Sequence, residues 1–127
     1  MTHHARVLLV DGDEVVRASL SKALLDGDVF CDAAISARDA LVQLGQRRYA
    51  LMLLHLEMAS AESVLDCIRS MRTSHRPMVL VTANVRSPKD AIDTELVQII
   101  IRRPLKIAEV AGIIHACLEF MPEIEDS

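Results

Sequence analysis

Tryptophan is absent from this sequence, and its aromatic side chains are only Phe30, Tyr49 and Phe120. Single-stranded nucleic acid is gripped by stacking bases on aromatic rings along a basic groove. Here rings are scarce and no basic run exceeds the pairs Arg47-Arg48 and Arg102-Arg103. Nucleic-acid binding is therefore not expected, and the net charge of −4 points the same way. Cysteine is also sparse. Cys31, Cys67 and Cys117 form an odd set with no paired spacing, which argues against a disulfide framework. No stretch has the form of a signal peptide, so free, mostly buried thiols in a reducing, cytoplasmic setting are expected. No apolar run approaches the roughly 18 residues of a membrane span, so no membrane association is expected.

What is present is a chain of 127 residues, 51% apolar. That suits a single domain with a core over about residues 5–120, followed by an acidic segment at 122–127. With so few aromatics, the core must be built from Val, Ile, Leu, Ala and Met.

The central stretch is Tyr49-Ala50-Leu51-Met52-Leu53-Leu54-His55. Its apolar middle is short, lies between helix-like segments, and reads as a strand buried on both faces. His55 falls where that strand ends. Before it, residues 6–10 form an apolar strand ending at Asp11-Gly12-Asp13, and Asp13 suits the N-cap of a helix carrying Val16, Leu20, Ala23 and Leu24 inward. A second short strand over 29–33 precedes a helix capped by Ser36. After His55, a helix is predicted over 61–71, a strand over 78–81 ending at Thr82, and a β-branched strand over 97–101. Residues 87–95 are ambiguous between helix and loop. The final helix spans 107–121, beyond Pro104. Alternation of strand and helix implies a three-layer α/β fold: a doubly wound, five-stranded parallel sheet with helices on both faces. Ligands of such sheets bind at the carboxyl edge of the strands.

That edge should gather Asp11, His55, Thr82 and Arg103. The run Val7-Leu8-Leu9-Val10-Asp11-x-Asp13, the strand before His55, Val81-Thr82-Ala83 and Arg103-Pro104-Leu105 together resemble the receiver domain of bacterial response regulators, a flavodoxin-like (βα)5 fold. The resemblance covers about residues 5–120. It implies a two-component phosphorelay. In that family a strand-end aspartate accepts a phosphoryl group, two acidic residues hold Mg²⁺, and a Thr and a Lys answer the phosphoryl charge. Matched position by position, Asp11 and Thr82 agree with the pattern. Gly12 stands for the second acid, His55 for the phosphorylated aspartate, Arg103 for the lysine, Ile100 for an aromatic switch residue and Ala59 for a proline. His55 offers no carboxylate, and a site short of one acid binds Mg²⁺ poorly. The resemblance thus implies a degenerate pocket of Asp11, Gly12, Asp13, His55, Glu57, Thr82 and Arg103, with no catalytic residue, cofactor or metal expected.

Several readings of His55 stand open. It could fill the pocket and pair with Asp11. It could act as a pH- or ligand-sensitive switch, accept phosphate on a ring nitrogen, or take a transition metal with Asp11, Asp13 or Glu57. Asp13 and Glu14 have a plain alternative as N-cap and first-turn charge, and the Arg103–Pro104 bond is expected to be cis by resemblance.

The final helix carries two apolar stripes. Ile107, Ala111, Ile114 and Leu118 form one; Val110, Ile113, Cys117 and Met121 form the other. The second either packs beneath neighbouring segments or docks a partner. The resemblance places the usual dimer and output surface on the fourth helix, fifth strand and fifth helix, giving Ile100, Arg102, Lys106, Val110, Ile113 and Cys117 as interface candidates. The overall expectation is a non-enzymatic pseudo-receiver acting by dimerisation or protein–protein interaction, independent of aspartyl phosphorylation. An atypical phosphoryl-accepting regulator, and a sensor of small ligands, metal or pH, are the alternatives.

Overall fold

The computed structural model describes residues 6–84 and 92–121. Among the described residues there are five strands: β1 (Arg6–Val10), β2 (Phe30–Ala34), β3 (Leu51–His55), β4 (Met78–Ala83) and β5 (Val97–Arg102). The same residues form four α-helices: α1 (Glu14–Asp26), α2 (Ala37–Gln46), α3 (Ala61–Ser70) and α4 (Ile107–Glu119). The expected 87–95 segment lies mostly outside the described residues. At its end, Leu96 and Val97 N–H both donate to the Asp93 carbonyl, which makes a turn.

All strand pairs are parallel, in the order β2-β1-β3-β4-β5. The chain winds outward from β1 to β2 and then reverses past β1 to β3. The crevice at the carboxyl ends of β1 and β3 is therefore the topological switch point. The polar residues that end these strands, Asp11 and His55, meet there because the hydrophobic run of each strand stops at the same sheet edge.

Period-2 alternation divides the sheet's side chains between two cores. Leu8, Val10, Met52, Leu54, Val79 and Val81 pack against α2 and α3 through Ala40, Leu44, Val64 and Ile68. Val7, Leu9, Leu51, Leu53 and Leu80 pack against α1 and α4 through Leu20, Leu24, Val110 and Ile114. Burying each such aliphatic side chain contributes about 1.5–3 kcal/mol. The expected caps form: the Asp13 carboxylate accepts from Val15 and Val16 N–H, and Ser36 Oγ accepts from Asp39 N–H.

Of the two readings open for the second stripe of α4, packing beneath neighbouring segments is the one seen: Val110, an interface candidate, is 1% exposed and belongs to the core, with Ile113, Cys117 and Met121 half-buried against the same cluster. The wide apolar arc of α4 is thus used largely by its own core. Ile100 packs chiefly on the face of the sheet opposite α4. It pairs with Val81, shares Val81's face and packs towards α2 and α3, while Ile99 and Ile101 face α4. The offset comes from a register shift between Val79 and Leu80. There the Gln98 side-chain carbonyl accepts the Val79 N–H at 2.8 Å, so the bulge leaves that donor satisfied. The three cysteines are free, as expected, but half-buried rather than buried. Among the described residues, no helix is long and apolar enough to cross a membrane.

Candidate functional site at the carboxyl edge

Asp11 follows the last residue of β1 and is 6% exposed. Its carboxylate is held from two sides. Oδ1 accepts the Asp13 N–H at 2.9 Å, and Oδ2 accepts from Arg103 Nη1 at 3.1 Å. The same Arg103 nitrogen donates to Thr82 Oγ1 at 2.8 Å. Thr82 is 1% exposed and pairs with His55 in the ladder. A charge-assisted bond of this kind contributes about 1.5–3 kcal/mol, so one guanidinium ties β1, β4 and the β5 exit together. The Arg103–Pro104 bond is cis.

His55 closes β3 between two carboxylates. Its Nδ1 lies 3.6 Å from Asp11 Oδ1 and its Nε2 lies 3.6 Å from Glu57 Oε1. Both distances exceed a hydrogen bond and fall within the reach of an ion pair with a protonated ring. Glu57 Oε1 also accepts the Asn84 N–H at 2.8 Å, which fixes it beside the end of β4. Arg102 donates to the Asn84 carbonyl at 2.9 Å from the other side.

Of the pocket residues named from the sequence, Asp11, His55, Glu57, Thr82 and Arg103 bring their side chains together, and two do not. The Asp13 side chain caps α1, as its plainer reading has it, and Gly12 brings no side chain. Sequence reasoning missed Arg17, which donates to the Asp11 carbonyl at 2.7 Å, and Asn84. Arg17 could have been found from helical spacing: it lies four residues after the cap Asp13, on the turn that faces the strand end.

The residues do not fit Mg²⁺. That ion takes oxygen ligands in octahedral array, yet Asp11 Oδ2 holds a guanidinium, Oδ1 holds an amide, and Asp13 serves the helix end. Among the described residues, no cluster of three His, Cys, Asp or Glu side chains is arranged to hold a metal ion. The cavity bordered by Asp11, Val16, Arg17, His55 and Thr82 measures about 10 Å³. That is near the minimum for one water molecule.

Of the interface candidates, Ile100, Arg102, Lys106, Val110 and Ile113 line an open groove of about 340 Å³ along β5 and α4. Cys117 lies on α4 with its thiol raised by burial.

No protein-family model matches this chain, and no curated protein matches it. Solved structures do. A CheY-like response regulator receiver domain protein from Methanospirillum hungatei superposes with a TM-score of 0.80 at 18% identity, covering 93% of this chain and 97% of that one. An orphan response regulator of H. pylori gives 0.75 at 22% identity, with 93% and 99% covered. A structure named as adenylate cyclase from Rhodopirellula baltica gives 0.78 at 17% identity, with 92% and 89% covered. The fold is that of response regulator receiver domains.

Proposed function

We propose that this protein is a non-enzymatic receiver-like module of a cytoplasmic, bacterial signalling pathway. It acts through protein–protein contacts or dimerisation and is not switched by aspartyl phosphorylation. The observation that carries this reading is the Arg103 bridge between Asp11 and Thr82, beside a histidine at the acceptor position. His55 has no carboxylate from which an acyl phosphate could form. The oxygens that would receive a metal are bonded to the protein's own cation and amide. In the resemblance, Thr82 is the hydroxyl that follows the phosphoryl group; here it has a constant partner in Arg103. A module wired this way holds one arrangement at its switch site, and its output depends on whether its partner is present.

The test is intact mass after incubation with Mg²⁺ and acetyl phosphate. The wild-type chain is expected to stay unmodified. A gain of one phosphoryl group would overturn the reading and direct attention to mapping the acceptor by fragmentation.

A further inference from the structure

A groove of about 390 Å³ opens at the amino edge of the sheet, opposite His55. It forms where the chain enters β3, β4 and β5, between Ala50, Met78 and Leu96. Its size is within the range of about 300–1,000 Å³ usual for binding sites. Met78, Leu96 and Met121 supply apolar lining, while Arg48, His75, Arg76 and Glu95 supply polar groups.

The two arginines are oriented by backbone carbonyls. Arg76 Nε donates to the Met71 carbonyl at 3.1 Å and its Nη2 to the Arg69 carbonyl at 2.7 Å. Arg48 Nη2 reaches the Ser74 carbonyl at 3.4 Å. Among the described residues, neither arginine has a carboxylate at ion-pair distance. In a chain of net charge −4, this is a local excess of positive charge beside apolar surface.

Met121 is itself part of the lining, and the residues that follow it are Pro122-Glu123-Ile124-Glu125-Asp126-Ser127. Three carboxylates around one isoleucine complement a basic rim over an apolar floor. Six residues extend to about 20 Å, enough to cross a groove that begins at their own anchor. The geometry points to an intramolecular dock: the acidic segment 122–127 occupies this groove, its carboxylates answering Arg48 and Arg76 and Ile124 covering the apolar lining.

The test compares full-length proteins by backbone-amide NMR and thermal melting. The set is wild type, the neutral-tail variant Glu123→Gln/Glu125→Gln/Asp126→Asn, Arg48→Glu, and the combination. Arg48 is exposed, so its substitution leaves the core intact. Neutralising the tail is expected to shift the amides of Arg48, Ser74, Arg76 and Gln98 and to lower Tm by about 2–5 °C, the scale of a few surface ion pairs. Arg48→Glu should do the same, and the combination should do little more, since both remove one interaction. Amide shifts confined to the last helix and tail, or strictly additive Tm changes, would overturn the dock. Shifts that depend on protein concentration would overturn it in favour of a second copy's tail.

Discussion

Arg103 and Asp11, 92 residues apart in sequence, meet at 3.1 Å with side chains only 16% and 8% exposed. Removing one member of such a pair leaves the other desolvated without a partner. That costs about 3–5 kcal/mol when both are fully buried, and less when water reaches one of them. Asp11→Asn is expected to destabilise the fold by about 2–3 kcal/mol in urea unfolding. Arg103→Lys should cost about 1 kcal/mol, because a single ammonium cannot reproduce the bridge to both Asp11 and Thr82 with the same geometry. Equal stability of Asp11→Asn and wild type would mean that the bridge is loose in solution.

Rebuilding an acceptor site separates the roles of the replaced residues. A Cβ added at Gly12 would meet only the Ile35 carbonyl at 3.8 Å, so Gly12→Asp is sterically free. His55→Asp alone should remain unmodified by acetyl phosphate, because Arg103 still holds Asp11 Oδ2 and no second acid has been supplied. The triple variant Gly12→Asp/His55→Asp/Arg103→Lys is expected to gain one phosphoryl group by mass. Phosphorylation of His55→Asp alone would show that the histidine by itself keeps the site silent.

Much of the scaffold was legible because it rests on local patterns. The apolar strands, the Asp13 and Ser36 caps, and the gathering of Asp11, His55, Thr82 and Arg103 at one edge all follow from period and alternation. What was not legible depends on a single residue inserted in a strand or on contacts between distant segments. The extra residue at Gln98 puts Ile100 on the face of Val81, and no pattern of alternation within β5 alone reports a bulge. The burial of Val110 depends on how α4 rolls against α1, which helical period leaves open when apolar residues cover a wide arc. The bridging by Arg103 needed the relative heights of three strand ends.

The packing of α4 on α1 makes its own prediction. A Cβ at Gly27 would overlap the His115 imidazole at Cε1 and Nε2, with Gly27 at an ordinary φ of −101°. What an added methyl would displace is the far end of a half-exposed imidazole, which can turn aside, and not backbone. Gly27→Ala should therefore cost about 1 kcal/mol, the low end of the overpacking scale. Pairing it with His115→Ala should recover most of that loss. A double variant as unstable as Gly27→Ala alone would place the strain in the helix end instead of at the ring.

Alkaline pH should expose a second weak point, at the edge strand β2. The Tyr49 hydroxyl donates to Asp32 Oδ2 at 2.8 Å, and burial together with that carboxylate holds the phenol well above its ordinary value of 10.0. Burial, aided by Asp32, also pushes the Cys31 thiol from 9.0 up to about 11. Both groups keep their protons longer in the folded than in the unfolded chain, so between these values the unfolded state binds fewer protons and stability falls as pH rises. Their contribution is complete below about pH 9 and is lost progressively as pH climbs through the folded-state values. Tyr49 is the sole tyrosine, so near-ultraviolet absorbance reports its ionisation without interference. Tyrosinate is expected to emerge only together with loss of the folded circular dichroism signal. Tyr49→Phe and Cys31→Ala should each flatten the decline of Tm above pH 9. A tyrosinate signal appearing near pH 10 in a protein that is still folded would show that the Tyr49–Asp32 contact opens readily to water.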